Sequence, residues 1–442
     1  MRNPARHGAR LTLLLLTAVY VLNFVDRQLV AILGQPIKAD LGLSDSRLGL
    51  LNGLAFALFN SALGLPIARI AERRSRIAVV SWSLALWSIA TAACGLARGL
   101  PQLLVARIGV GIGEAGYVPA AQSIIADLWP RERRATALAL FSIGIPVGIL
   151  IGAVAGGWIA DALGWRAAFL VLGIPGVALA AVIAFVLREP PRGAQDAATD
   201  AQAPAFGEVA RALWSDRVFR NMAAGATLAS TAGYGITGFA VPLLMRSYQL
   251  PLHVAATGFG LVVGAGIGGG IATGGWLADR LTPGRQNARA QVAGAGALIA
   301  LAAFPLALSQ SQPLGVALAA FPAFFGAHLY FGPVYATTAD RVGPRARATA
   351  IALLLLAMNG LGLTIGPWLV GTLSDHFTKR ALPDFAMLCA SGKAQTAPCL
   401  SASASGLSSA LSVDLFFYLW AAAHFLRAGW LVARDQPQSS AR

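Results

Sequence analysis

The sequence predicts an all-α membrane protein in which twelve transmembrane helices form two pseudo-symmetric six-helix bundles. Three observations carry this expectation. The 442 residues are 56% hydrophobic and only 12% charged, with a mean hydropathy of +0.65, far outside the soluble globular range. Apolar runs long enough to cross about 30 Å of hydrocarbon, roughly 20 residues each, recur from end to end. Short motifs of the first half also return, in the same order, in the second.

In chain order the runs fall near 11–34, 46–70, 77–98, 101–128, 134–160, 166–188, 221–246, 254–281, 288–309, 313–339, 348–374 and 411–433. The first is too long for a signal-peptide core and has no small-residue cleavage site close behind it, so it counts as a helix. An even number of spans puts both termini on one side, and the arginines say which. Arg69, Arg73, Arg74 and Arg76, then Arg131, Arg133 and Arg134, then Arg188 and Arg192, then Arg280, Arg285 and Arg289, all fall in loops or at run ends on the side of the termini. The opposite loops hold few basic residues, among them Lys38, Arg98 and Arg166. By the positive-inside rule both termini are cytoplasmic, as in a multi-pass protein of the cell inner membrane. The formal charge of +15 is thus distributed by topology and not gathered into a nucleic-acid patch, so no nucleic-acid partner is expected.

Cys94 falls in a helix and reads as a small apolar residue. Cys389 and Cys399 share the long loop before the last run, on the non-cytoplasmic side, where an oxidising compartment permits either a bridge or two free thiols.

The internal repeat sets the domains. Ala68-Arg-Ile-Ala-Glu72-Arg73 after the second run is matched by Gly275-Trp-Leu-Ala-Asp279-Arg280 after the eighth. Asp127 and Ala135-Thr136-Ala137 are matched by Asp340 and Ala348-Thr349-Ala350, and Gly148 and Gly152 by Gly362 and Gly366. Each half has an even number of spans, so the repeats run parallel, as in transporters. The expected divisions are an N-terminal bundle over 1–190, a cytoplasmic linker over 191–217, and a C-terminal bundle with a short cytoplasmic tail over 218–442. Within the linker, Phe206, Val209, Ala210, Leu213 and Trp214 recur at helical spacing, which fits either an interfacial helix or a partly ordered linker without membrane contact. Glycines spaced by four, as in Gly148, Gly152 and Gly156, make flat faces on which another helix can pack closely or slide.

Charges inside the apolar runs mark the candidate site. Ionisable side chains at bilayer depth are costly and normally face a cavity or an opposite charge. Away from the helix ends stand Asp26 and Arg27 in the first run and Arg107 and Glu114 in the fourth. Arg107 and Glu114 are two turns apart on one face. Depth along the two helices lets Asp26 pair with Arg107 and sets Glu114 deeper, where desolvation favours its protonated form. Asp26 and Glu114 are therefore the expected proton-coupling residues, and Arg27, Arg107 and Glu114 the expected substrate contacts. Tyr117, Tyr234 and His328 are further substrate-binding candidates. Glu72, Arg73, Asp279 and Arg280 at the cytoplasmic ends of helices two and eight form an expected conformational latch.

Gly111-Ile-Gly113-Glu-Ala-Gly116 matches a dinucleotide-binding turn letter for letter. That turn needs a strand before it and water around it, whereas here it lies inside a membrane run, so no cofactor is expected. An enzyme is not expected either: His7, His253, His328, His376 and His424 are scattered singly, without metal-ligand spacing.

These residues resemble the major facilitator superfamily over nearly the whole chain. Ala68 to Arg76 is similar to its loop two-to-three signature, G-x-L-A-D-R-x-G-R-R, with departures at Ala68, Glu72 and Ser75 and Ile77 after it. The segment from Leu103 through Arg107 to Gly111 resembles the helix-four signature. Gly148 to Gly157 resembles the helix-five antiporter signature, with Ala153 in place of proline. Within the superfamily the chain is similar to the Spinster family, through Asn23-Phe-Val-Asp26-Arg27, Gly111 to Tyr117, Ile145-Pro-Val-Gly148 and Arg188-Glu-Pro-Pro-Arg-Gly193. The resemblance implies a monomeric secondary transporter with a rocker-switch cycle. It implies a small amphipathic or lipid-like substrate, proton coupling, and a charged network at Asp26, Arg27, Arg107 and Glu114. A proton-coupled exporter of organic anions or drugs is the alternative within transporters; a lipid enzyme or a non-transporting sensor is the alternative outside them.

Overall fold

The structure is a computed structural model, and it describes residues 4–192, 206–283, 285–342, 346–389 and 396–434. Every regular element among them is helical. Eleven of these helices are long and apolar enough to cross a membrane, and the 20-residue helix Leu54–Arg73 occupies the remaining expected run.

We number the spans α1 (Pro4–Ile32), α2 (Leu54–Arg73), α3 (Arg76–Cys94), α4 (Leu100–Glu114 and Tyr117–Leu128), α5 (Arg131–Ser142 and Gly144–Leu163) and α6 (Trp165–Val186) in the first half. The second half has α7 (Arg217–Tyr248), α8 (Leu252–Leu281), α9 (Ala288–Leu308), α10 (Pro313–His328 and Phe331–Asp340) and α11 (Arg347–Leu355, a π-helical Leu356–Leu363, then Thr364–Ala381). It closes with α12 (Ala397–Asp414 and Phe416–Arg434). The last span begins well before the expected residue 411. The Ser- and Ala-rich stretch from Ala397 is too weakly apolar to score as membrane, yet its small residues pack on α11: a Cβ on Gly406 would lie 2.6 Å from the Thr378 nitrogen.

The chain divides into two compact units, Met1–Asp200 with Leu250–Gly260, and Ala201–Gln249 with Leu261–Arg442. In the first unit α1 packs on α5, α3 on α6, and α4 on α2 and α3; in the second α7 packs on α11 and α12, and α9 on α10. The first turns of α8 belong to the first unit, where His253 donates its backbone N–H to Asp161 at the end of α5 and sets its ring Nδ1 2.6 Å from the same carboxylate.

Glycine faces carry the closest approaches. A Cβ on Gly148 would meet Phe24 Cβ of α1 at 2.6 Å, and one on Gly362 would meet Ser230 Cβ of α7 at 2.9 Å. The matched glycines of the two halves thus do the same work, each pair against the first helix of its own half.

The expected linker helix forms as Phe206–Ser215. It buries Val209 and Leu213 in the second unit and leaves Trp214 exposed. Asp216 follows it and caps α7, accepting from the N–H groups of Val218 (2.7 Å) and Phe219 (2.9 Å). The rest of the expected linker, 193–205, and most of the tail lie outside the described residues. Cys389 and Cys399 form a disulfide with Cα atoms 5.8 Å apart, which settles the alternatives left open by the sequence.

Candidate functional site

Four charged side chains of the first unit converge where α1 and α4 meet. Glu114 is the last residue of the first segment of α4, which breaks at Ala115 and resumes at Tyr117. Arg27 of α1 donates from Nε to Glu114 Oε2 at 2.7 Å; the arginine side chain is 22% exposed and the glutamate side chain fully buried. Arg107 is fully enclosed and reaches the backbone oxygen of Asp26 at 3.4 Å. Both guanidiniums lie over the ring of Phe56 on α2, Arg27 at 5.0 Å and Arg107 at 5.2 Å from its centroid.

This corrects the expected pairing. The ion pair of the cluster is Arg27–Glu114, and Arg107 meets the main chain of Asp26 where a carboxylate partner was expected. Among the described residues, Asp26 Oδ1 and Glu114 Oε1 are buried without a hydrogen-bond partner, as are both polar atoms of Asn23. A buried acceptor with no donor costs about 1–3 kcal/mol, more for a charged group. A proton relieves that cost on either carboxyl, so the site is chemically suited to exchange one.

The glycines of the GIGEAG stretch bring the surrounding helices close enough to seal the cluster. A Cβ on Gly111 would lie 2.6 Å from the carbonyl oxygen of Phe56, and one on Gly113 would lie 2.6 Å from the Trp87 nitrogen of α3. Asn60 of α2 donates to the Gly111 carbonyl at 3.3 Å. The stretch is therefore a packing face in a helix, as its apolar surroundings imply.

The weaker candidates divide. Tyr117 is fully buried, and its hydroxyl donates to the Leu16 carbonyl. In the second unit Tyr234 of α7 donates to Asn359 Oδ1 at 2.8 Å, inside the π-helical segment of α11, the kind of helix interruption that often marks functional sites. His328 ends the first segment of α10, half-buried, with Nδ1–H donating to the Phe324 carbonyl at 2.9 Å. In the neutral ring that bond selects the Nδ1–H tautomer, with Nε2 as an acceptor. Tyr330, just past the break, shares a 2.9 Å hydrogen bond with Ser230.

Three of the four expected latch residues lie at the surface. Arg73, Asp279 and Arg280 are exposed, with Arg280 lying over the Trp276 ring at 5.5 Å, and the Glu72 side chain lies outside the described residues. The charge cluster at the arginine-rich end centres instead on Arg76, which is buried. Arg76 binds Asp127, Glu189 (2.7 Å), Ser123 (2.9 Å) and the Pro190 carbonyl (2.9 Å). Burial pushes the Glu189 carboxyl up, but hydrogen bonds from Arg76, the Ile77 N–H and Ser75 outweigh it and hold the carboxyl below the usual carboxylate range. The second half repeats the bracket: Arg289 pairs with Asp340 at 2.5 Å. Likewise Arg134 donates to the Ala126 carbonyl at 2.8 Å and Arg347 to the Ala339 carbonyl at 3.2 Å. Asp127 and Asp340 were visible as a repeat in the sequence. Their partners Arg76 and Arg289 could have been found by carrying the same spacing back to the arginines that open α3 and α9.

Twelve spans in two repeated halves, with a charged cluster sealed inside one of them, define a membrane transporter. The Major Facilitator Superfamily description matches residues 16–367. An "MFS-type efflux pump" of Mycolicibacterium smegmatis is 35% identical over 381 residues, covering 84% of this chain and 87% of that protein. Human "Protein spinster homolog 1" is 27% identical over 409 residues, covering 87% and 76%. A crystal structure of a bacterial homologue of the human lysosomal transporter Spinster, inward-facing and unoccupied, is 31% identical with a TM-score of 0.87, and the match covers 100% of both chains. The chain belongs to the Major Facilitator Superfamily and, within it, to the Spinster family. It is a multi-pass transporter and not an enzyme.

Proposed function

We propose that this protein moves a small amphipathic, lipid-like substrate of the lysophospholipid or sphingolipid type by rocker-switch alternating access, driven by protons, from an inner membrane with both termini cytoplasmic. The observation that carries the reading is the Arg27–Glu114 pair, with Glu114 Oε1 and Asp26 Oδ1 both buried and unbonded. Protonation of Glu114 removes the negative charge that holds Arg27. The guanidinium, on a side chain that is already 22% exposed, then becomes available to an anionic head group. Loss of the proton recaptures Arg27 and releases the head group. Asp26 and Glu114 are the proton carriers in this scheme; Arg27 and Arg107 supply the positive field, and Tyr234 and His328 are polar contacts of the C-terminal unit. Arg76 with Asp127, and Arg289 with Asp340, take over the latching role expected of Glu72, Arg73, Asp279 and Arg280.

A second reading, proton-coupled export of organic anions or drugs, is favoured by the 35% identity to the mycobacterial efflux pump. Proteoliposome uptake under an imposed pH gradient, with lysophosphatidylcholine, sphingosine phosphate and a panel of organic anions, separates the two. Glu114→Gln should abolish gradient-driven uptake while leaving counterflow of the same compound. Uptake that responds to the pH gradient in Glu114→Gln as it does in the wild type would remove Glu114 as the carrier.

A further inference from the structure

The C-terminal unit holds a carboxyl outside the cluster around Glu114. Asp414 ends the first segment of α12, which resumes at Phe416. Its side chain is fully buried, and neither carboxyl oxygen meets a donor among the described residues. The expected last span opened at residue 411, which made this aspartate look like an end residue at the membrane boundary. In the structure it stands between an 18-residue and a 19-residue helical segment.

The roles that ordinarily hold a buried aspartate do not account for it. No arginine, lysine or histidine among the described residues is paired with it. It caps nothing, because the backbone N–H groups that open the second segment of α12 do not reach its oxygens. α7 presents Gly235, on which a Cβ would lie 2.7 Å from Asp414 Oδ2 and 2.9 Å from Val370 of α11. The ionisable groups that face it are tyrosine hydroxyls. Tyr418 lies one turn further along α12, its hydroxyl buried and unbonded, with Phe304 of α9 stacked on its ring at 5.7 Å. Tyr330 of α10 neighbours Tyr418 in turn and shares its hydrogen bond with Ser230 of α7.

An ionised carboxylate in these surroundings loses its hydration and gains no partner; the neutral acid avoids most of that penalty. Asparagine has the same shape and would pack equally well against Gly235 and Val370. What an aspartate adds here is an exchangeable proton. We propose that Asp414 is a second proton-binding site, in the C-terminal unit, which loads and unloads its proton along the hydroxyl line Tyr418, Tyr330 and Ser230. The helix breaks at Leu415 in α12 and Leu329 in α10 adjoin this line and give its groups room to reorient. The proposal rests on the reading of the chain as a proton-driven transporter, but it is tested without transport.

The test is infrared spectroscopy of the full chain in lipid nanodiscs, titrated from about pH 5 to about pH 10 so that ordinary carboxylates are ionised throughout most of the range. A buried protonated carboxyl gives a C=O stretch above the amide I band that shifts in heavy water. The expected result is a band that diminishes as pH rises, is lost in Asp414→Asn and persists in Glu114→Gln. Asp414→Glu should retain the band at a shifted frequency, and it serves as the probe if the asparagine variant does not fold. An Asp414→Asn spectrum that superimposes on the wild type would overturn the proposal, since the carboxylate would then be ionised throughout. A band assigned to Asp414 that ignores pH over the whole range would do the same, by making it a permanently neutral packing group. A band abolished by sodium chloride but not by choline chloride would give the site to a metal cation instead. Proton-coupled uptake is read on Glu114→Gln, so either result can fail alone.

Discussion

Arg27→Gln should destabilise the protein substantially more than Glu114→Gln, although both break the same hydrogen bond. In Arg27→Gln the Glu114 carboxylate, fully buried and with Oε1 already unbonded, loses its charged donor and is left as a lone buried ion. Breaking a buried pair this way costs about 3–5 kcal/mol. Solvent reaches part of Arg27 and screens the pair, which places the effect near the lower end, about 3 kcal/mol. In Glu114→Gln the remaining arginine keeps its solvent contact and its positions over the Phe24 and Phe56 rings, 5.4 and 5.0 Å from the guanidinium. Its loss is about 1 kcal/mol. The double variant removes both charges and should lose about 2 kcal/mol, less than Arg27→Gln alone and well short of the sum of the single losses, a coupling energy of about 2 kcal/mol. The assay is reversible denaturation in mixed micelles followed by tryptophan fluorescence, run on all four proteins. Equal losses in the two single variants, or a double variant that equals their sum, would refute the assignment of Arg27–Glu114 as the pair that neutralises the site.

Three more outcomes follow from contacts described above. Gly366→Ala forces a methyl group against the Thr231 carbonyl of α7 and should lower stability by about 1–3 kcal/mol; Gly275→Ala, whose Cβ meets nothing, is the control in the same denaturation series. Glu189 has a folded-state carboxyl held below its ordinary value, so its contribution is present above the unfolded value of about 4.3 and is lost as pH falls through the folded value. The melting temperature of Glu189→Gln should thus lie below wild type at neutral pH, by under about 1 kcal/mol in stability terms, and converge with it in acid; a gap that widens on acidification would reverse the sign. Reducing Cys389–Cys399 should add two hydrogen atoms to the intact mass and cost about 2–3 kcal/mol for so short a loop, read as a lower melting temperature under reductant that Cys389→Ser/Cys399→Ser reproduces without it.

The spans were legible because hydrocarbon demands long apolar runs, and the halves because Asp127, Gly148 and Gly152 recur as Asp340, Gly362 and Gly366. The cluster at Asp26, Arg27, Arg107 and Glu114 was legible because charge at bilayer depth is rare. Its pairing was not. Depth along two helices placed Arg107 beside Asp26 correctly, but spacing does not reveal which side of the main chain a long guanidinium takes, so Arg27 was left without its glutamate. Asp414 was hidden for a different reason: the serines of Ala397–Asp414 lower the hydropathy enough to conceal a helix that small residues nonetheless pack well. The buried ion pair at Arg76 was not legible beside Arg73 because sequence similarity marks the loop, whereas the pair depends on which arginine turns inward.

The π-helical Leu356–Leu363 of α11 has a consequence for the ancestry of the two halves. Measured from the shared aspartates, the packing glycines come one residue later in the second half: Ala135 and Ala348 are in step after Asp127 and Asp340, whereas Gly362 and Gly366 lag Gly148 and Gly152 by a single position. An extra residue in an ordinary helix would swing everything beyond it by about 100° and turn both glycines away from α7. The wide turn lies in the interval where the lag arises and absorbs it. α11 thus takes up a one-residue difference between the halves as a change of helical pitch, and the repeated glycine face is kept because the backbone absorbs the difference.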